Sequence, residues 1–523
     1  MSRTARMLLL IVLFALLLRI ALGVAFVRFP GIADPNHYYN MGTRLAQGQG
    51  FTIDYIWQYN RPPDAVVHPE DHWMPLAAVL AAAPMTVFGQ TTAASLIFFV
   101  AIGSLLPVLS FAGARQLGLS DRTSLYAALA TACIPEMVLN SLRTDTTVPT
   151  ALFLCGGILL LVEALRRGGI WRWALAGVCG GLAYLTRNDG LLLLPMLLVV
   201  LAAHAWTARQ AGEPIRIPVR GVLILLGTML LVMSPWLIRN YVTFGALGSP
   251  EGSDMFFFTD NLDHYAYGRD FTLQGLLAAQ SFTEIAGKRI FELAAGLKQI
   301  ITGLGEFLAI AFAAGAVLIV TARRTDRRAF MTALPVVVLL LGGIVAYAIF
   351  IPYKAQAGSL KKAFLMTVPL LVPIAALALE RLIVSQRGRL LVMGLSASLL
   401  TFAAFDLVRL DTATANSYLA SIQTMRDAGR DLPDVSGDGE LILMTQDPYI
   451  LSYVGIPSLM YPFEDRALVH EIALRYGVDY LLMPSARPAL DGLLDEASPD
   501  PRFTLVAQVA GTPYRFYRVE QSP

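Results

Sequence analysis

The acids and histidines of residues 29–73 stand out first: Asp34, His37, Asp54, Asp64, His68, Glu70, Asp71 and His72 fall in one stretch of a chain otherwise rich in Leu, Ala, Val, Ile and Gly. Carboxylates and imidazoles are the groups that accept and release protons near neutral pH, so so many of them in one loop suggest a working site. Asp34, in IADPNHYYNMGTRLAQGQGF, follows an apolar run and precedes an amphipathic segment. An ionised carboxylate there can serve as a general base toward an attacking hydroxyl; the alternative is a helix N-cap ahead of Pro35.

A second acid, Asp145 in NSLRTDTTVPT, lies in another short polar break, with Arg143 just before it. It can act as a partner that orients substrate or holds a divalent cation, or it can cap the next helix. The cluster His68-Pro69-Glu70-Asp71-His72 lacks the helical H-E-x-x-H spacing of a zinc site, and Pro69 interrupts it, so His68 and Glu70 are read as substrate-touching residues of a turn and no metal site is assigned. Arg239, Lys354, Lys361 and Lys362 lie beside apolar runs on the side where cations are rare; binding a lipid phosphate would explain them, and ordinary headgroup contact is the alternative. Arg187 and Asp189, in LAYLTRNDGLLLLP, share a tight turn in which they can pair with each other.

The elements that position these groups follow from composition. The chain has 523 residues, 56% of them hydrophobic and 15% charged, whereas soluble domains carry about a quarter charged residues. That composition specifies a mainly α, polytopic membrane bundle. The net charge of +2 is spread over short loops, which argues against a nucleic-acid partner. Apolar runs at 7–27, 92–113, 123–139, 147–165, 173–187, 190–206, 221–237, 301–321, 329–350, 364–384 and 388–408 predict about eleven transmembrane helices. The first is expected to be a retained helix rather than a cleaved signal, with Arg19 paired or snorkelling. Cys133, Cys155 and Cys179 fall in or beside apolar runs and are expected to pack rather than to form disulfides.

With a cytoplasmic N-terminus, the basic loops 115–122, 166–172, 209–220, 323–328 and 381–389 all fall on the cytoplasmic side. This holds only if the short, proline-bearing run 74–88 lies at the outer face as a juxtamembrane helix rather than crossing. The first loop, 140–146, 239–300 and 352–362 then face outward together. The chain divides in this reading into 1–410, a transmembrane domain whose first outward loop spans 28–91, and 411–523, a small extracytoplasmic α/β domain. In the latter, LILMT, YILSYVG, VDYLLMP, FTLVAQVAG and YRFYRVE read as strands and 465–476 as a helix.

Four stretches, ADPNHYYNMGTRLAQGQGF, HPEDHWMPLAAVL, GLAYLTRNDGLLLLP and PWLIRNYVTFG, together resemble the GT-C superfamily of polytopic glycosyltransferases, especially the branch of protein O-mannosyltransferases and the bacterial lipid A aminoarabinose transferase. The tail, DPYILSYVGIPSLMYP followed by YGVDYLLMP, is similar to the outward domains of that group. The resemblance implies a polyprenyl-phosphate sugar as donor, a glycan, lipid or protein hydroxyl as acceptor, and inversion at the anomeric carbon. It places the chain in a bacterial cytoplasmic membrane, among membrane lipids. Asp34 maps onto the family's first-loop base and Asp145 onto its second-loop acid. His68-Pro69-Glu70 departs from the usual HPP or KPP triplet, and no second acid closely follows Asp145, so no cofactor is required, with a divalent cation as the alternative. His68, Glu70, Arg187, Arg239, Lys361 and Lys362 are the substrate-binding candidates. A transporter or flippase of lipid-linked sugars, or a non-catalytic envelope scaffold, are the rival functions.

Overall fold

The computed structural model describes residues 1–250, 252–353, 359–432, 441–485, 487–494 and 500–521. Lys354 lies outside the described residues. The architecture is a polytopic helical bundle. Among the described residues seven helices are long and apolar enough to cross a membrane, or up to nine if two bent pairs, Phe282–Leu304 with Glu306–Thr321 and Ser359–Leu365 with Val368–Leu382, each count as one span. The expected count of eleven is not confirmed, because two of the expected runs form shorter helices for local reasons. The run at 123–139 breaks at Pro135, which lacks an amide hydrogen, into Asp121–Cys133 and Pro135–Asn140. Ile170–Thr186 has only 17 residues, about 25 Å of helix.

The basic loops meet at one end of the bundle. Arg328 donates to the carbonyls of Arg115 at 2.6 Å and Gln116 at 2.9 Å, and Arg327 to that of Gln210 at 3.0 Å. Arg381 pairs with Asp326 at 2.5 Å, and Ser120 donates to Glu380 at 2.6 Å. Thr4 donates to Asp121 at 2.6 Å, so the N-terminus belongs to this end as well. Arg19 is buried within the first helix and donates to Ser141 Oγ at 3.0 Å and to the carbonyls of Ala15 and Ala132 at 3.1 and 3.2 Å. The three cysteines are free thiols.

At the opposite end the loop 29–73 folds against two helices. Asp34–Ala46 packs on Leu76–Phe88, whose 13 residues rise only about 20 Å, too short to cross a bilayer core. Gly42 permits this approach: a Cβ there would lie 3.0 Å from Ala81 Cβ and 3.1 Å from the Ala78 carbonyl. Small residues also join Ile170–Thr186 to Val219–Phe244, where a Cβ on Gly177 would strike the Leu225 carbonyl and one on Gly181 would lie 2.6 Å from Val232 Cβ. Arg187 caps the first of these helices and Arg239 sits near the end of the second, so this packing fixes both cations.

The strands are β1 (Thr52–Ile53), β2 (Tyr55–Ile56), β3 (His68–Pro69), β4 (Leu443–Thr445), β5 (Ser458–Met460), β6 (Tyr480–Met483), β7 (Phe503–Gln508) and β8 (Arg515–Val519). β1 pairs with β3, and a six-stranded sheet runs β2-β5-β4-β6-β8-β7. β2, β5, β4 and β6 are parallel, while β8 is antiparallel to its neighbours. The first loop therefore supplies an edge strand to a sheet built otherwise from the chain's last eighty residues or so. Ile56, Met444, Leu459 and Leu481 pack on one face. Leu443, Tyr480, Leu482 and Phe516 pack on the other, against Leu419, Ile422 and Met425. Those last three belong to Gln386–Arg430, a 45-residue helix of about 68 Å that runs unbroken through 410–411 into the sheet.

YILSYVG, expected as a strand, is instead the helix Pro448–Tyr453, with Pro448 in its first turn where no amide is needed. The true strand is the short, fully buried β5, with too few residues to show a period. The expected helix forms as Arg466–Arg475, capped by the Asp465 side chain.

Candidate functional site

Ala33 precedes the helix Asp34–Ala46 with φ 63°, ψ −127°, a conformation costly for a residue with a Cβ. It occupies the cap position without a side-chain cap bond, so Asp34 is the first helical residue and its carboxylate is not spent on capping. Instead Asp34 Oδ2 accepts from Lys362 Nζ at 2.7 Å. The same Nζ is also bonded to Asp145 Oδ2. One lysine thus joins the two acids singled out in the sequence.

The two carboxylates differ. Asp34 keeps 30% of its side chain exposed, Asp145 only 2%, and Lys362 14%. Asp145 Oδ1 accepts from the backbone N–H of Thr147 at 2.8 Å and its hydroxyl at 2.6 Å, so one oxygen caps the helix Thr147–Arg167 while the other meets the lysine. Burial alone would raise the Asp145 pKa, but Lys362 and the Thr147 donors outweigh it and hold it at about 2. Thr144 donates its hydroxyl to the Pro35 carbonyl, locking the two acid-bearing loops together.

Below the acids lies a supporting layer. Glu70 is fully buried, accepts from the N–H groups of His72 at 2.8 Å and Trp73 at 2.6 Å, and lies 3.0 Å from His37 Nε2. The other His37 ring nitrogen is bonded to the Tyr55 hydroxyl. Burial would push the Glu70 carboxyl up; His37 and the two amides bring it below the usual carboxylate range. His68 is buried in β3, donates Nδ1–H to the Val66 carbonyl at 2.9 Å, and has its pKa lowered by burial. Arg239 donates to the carbonyls of Glu70 at 2.6 Å and Phe51 at 3.2 Å and stacks between Trp236 and Phe244. His68, Glu70 and Arg239 thereby hold the loop's shape. Lys361 points away to Glu136, at 2.7 Å.

Beside this layer is a cavity of about 590 Å³. Tyr38, Trp73, Arg187, Asp189, Tyr347 and Ser359 supply its polar edge. Leu191, Leu192 and Pro195 from one apolar helix and Gly343, Ala346 and Phe350 from another supply a hydrocarbon wall. Asp34, Asp145 and Lys362 stand just beyond its lining. Tyr38 follows Asp34 by one helical turn and Ser359 precedes Lys362 by one turn, so the cavity and the acid–lysine cluster adjoin. Arg187 donates Nε and Nη2 to Asp189 at 2.7 and 2.6 Å, and the Tyr347 hydroxyl donates to the other Asp189 oxygen at 2.7 Å. Burial opposes the charge on Arg187, but Asp189 and Tyr347 outweigh it, so its pKa is raised and it remains a cation. Burial, with Asp34 next, raises the Tyr38 pKa and keeps its phenol a neutral donor.

Tyr38, Trp73, Tyr347 and Ser359 are polar lining residues that the sequence alone did not pick out. The available signal was a hydroxyl-bearing aromatic inside an apolar run, AYAIF for Tyr347, since a buried phenol usually finds a polar partner. Among the described residues no group of three or more His, Cys, Asp or Glu side chains is placed to hold a metal ion. A divalent cation between Asp34 and Asp145 would have to displace the Lys362 ammonium that already balances them.

This arrangement of a helical membrane bundle, a loop-borne acid and a mixed sheet is, as a fold, similar to those of solved membrane glycosyltransferases over most or all of the chain. Residues 67–238 match the family described as Dolichyl-phosphate-mannose-protein mannosyltransferase. No curated protein matches the sequence. Among solved structures, ArnT from Cupriavidus metallidurans bound to undecaprenyl phosphate is similar over 100% of this chain and 99% of that one, with TM-score 0.62 and 16% identity. Oligosaccharyltransferase AglB from Archaeoglobus fulgidus, in complex with an inhibitory peptide and a dolichol-phosphate, is similar over 92% of this chain and 70% of that one, with TM-score 0.57 and 13% identity.

Proposed function

We propose that the protein is an inverting glycosyltransferase that moves a monosaccharide from a polyprenyl-phosphate donor to a hydroxyl acceptor at the outer face of a bacterial cytoplasmic membrane. The observation that carries this reading is the cavity. It joins a hydrocarbon wall between two membrane helices to a largely buried arginine and, one turn away, to a lysine and two acids. A polyprenyl chain matches the wall, and a phosphate matches Arg187 and Lys362.

In this mechanism Asp34 accepts the proton of the acceptor hydroxyl and the oxygen attacks the anomeric carbon. The bond from that carbon to the donor phosphate breaks, and its electron pair leaves on the phosphate. Lys362 and Arg187 stabilise the charge gathering there. Asp145 keeps Lys362 in place, and Arg239, Glu70 and His68 keep the loop in shape. The segment 239–300 and the tail 411–523 shape the acceptor side. The reaction runs on side chains alone, with the Lys362 ammonium taking the place a divalent cation would have. The match of residues 67–238 to a mannosyltransferase family and the bound undecaprenyl phosphate of the similar ArnT support the donor class.

A transporter would place charges mid-span and break helices in corresponding halves of the chain. Here both bent pairs fall after residue 280, and Arg19 is bonded to a serine and to carbonyls. The deciding experiment supplies detergent-purified protein with a panel of polyprenyl-phosphate sugars and a membrane extract as acceptor source, read by mass spectrometry. Consumption of one donor by the wild type but not by Asp34→Asn is expected. Equal consumption by both would remove Asp34 as base, and consumption by neither would favour transport or scaffolding.

A further inference from the structure

Lys362 serves two carboxylates at once, and they hold it unequally. Asp145 is buried, anchored through Oδ1 by both donors of Thr147, and cannot turn away. Asp34 is partly exposed, sits at the end of a helix whose cap offers it nothing, and has Lys362 as its ion-pair partner. A carboxylate oxygen already bonded to an ammonium has to give up that bond before it can take a proton from a substrate hydroxyl. As the structure stands, Oδ2 of the candidate base is therefore occupied by Lys362. The cavity assigned to the donor lies close by: Ser359, one turn before Lys362, lines it, and Arg187 lines it as well.

We propose that Lys362 couples donor binding to exposure of the base. Before the donor arrives, Lys362 holds Asp34 and Asp145 together. The donor phosphate then draws Nζ away from Asp34 while Asp145 retains it, and Asp34 becomes free to accept the acceptor's proton only when a sugar is in place to be attacked. As the sugar leaves, the phosphate changes from a singly charged diester to a monoester of higher charge, so the lysine's attraction to it grows during the reaction. The same exchange imposes an order: the donor binds before the acceptor hydroxyl can engage Asp34. This inference rests on the lipid-phosphate donor reading of the site.

The test is binding, not turnover. Undecaprenyl phosphate is titrated in detergent micelles against the wild type and Asp34→Asn, following the fluorescence of Trp73 and the other tryptophans and confirming with radiolabelled lipid. Asp34→Asn leaves the Lys362–Asp145 pair intact, so the fold is retained. Because it spares the lysine one bond that must be broken, it is expected to bind undecaprenyl phosphate three- to tenfold more tightly than the wild type. The same change is then made in a Lys362→Met, Asp145→Asn background, which leaves no buried carboxylate unpaired; there it is expected to have no effect. Equal tightening in both backgrounds would mean simple repulsion between Asp34 and the phosphate and would overturn the proposal. So would unchanged or weaker binding by Asp34→Asn. If the wild type does not bind undecaprenyl phosphate at all, the donor reading itself fails, and the coupling fails with it.

Discussion

Lys362 Nζ lies 2.7 Å from Asp34 Oδ2, although 328 residues separate them in the chain. A cation from the second half of the bundle thus completes a site whose acid comes from the first loop. The contact makes the two ends of the membrane domain one chemical unit.

Asp34→Asn removes a proton acceptor without changing side-chain size. Turnover is expected to fall by a factor of about 100 to 10,000, the usual worth of a positioned general base. Donor-consumption rates, with circular dichroism to check folding, measure it.

Tyr347→Phe removes the hydroxyl that donates to Asp189 at 2.7 Å and leaves the arginine less firmly held. One neutral-to-charged hydrogen bond is worth about 1.5 kcal/mol, so the donor KM should rise about tenfold with a smaller change in kcat. Arg187→Lys should cost more, because both Nε and Nη2 are engaged on Asp189 and an ammonium cannot reproduce that fork.

Gly343 faces the cavity's apolar wall, and a Cβ there meets nothing within 4 Å. Gly343→Phe should therefore fold and fill the wall. Activity with a long polyprenyl donor is expected to drop at least tenfold, while a short-chain analogue loses less. Comparing the two donors on one preparation separates blockage from misfolding.

Asp145 is held at about 2, below its unfolded value of roughly 3.9, so its contribution to stability is present above pH 4 and is lost as pH falls toward 2. The shift corresponds to about 2 to 3 kcal/mol. Thermal unfolding in detergent should show the wild type more stable than Asp145→Asn at pH 6, with the gap narrowing between pH 4 and 2.5.

If Lys362 supplies the positive charge between the acids, chelation with EDTA should change the initial rate less than twofold. A loss beyond tenfold, restored by one divalent ion, would give the acids a metal in place of the lysine.

Much of the organisation was legible in the chain. Apolar runs separated by basic loops indicated a polytopic bundle, because lipid permits little else and a charged loop stays in water. The loops 115–122, 209–220, 323–328 and 381–389 do meet at one end. Asp34, Asp145 and Lys362 were each picked out separately. Their convergence was not visible, nor was the support given to the loop by Arg239, Glu70 and His68, since a polar residue near a membrane face has the same signature whether it touches substrate or a neighbouring carbonyl.

Residue type and spacing by themselves determined the class of solvent, the helical architecture and the groups able to do chemistry, because hydropathy is a sum over local composition. Tertiary structure decided the rest. It closed the sheet with β2 from the first loop, which shares only Tyr55 and Ile56 with β5 and carries no pattern long enough to read. It also put one lysine between two acids, because where a side chain ends up depends on helices packed from distant parts of the chain, and no local period encodes that distance.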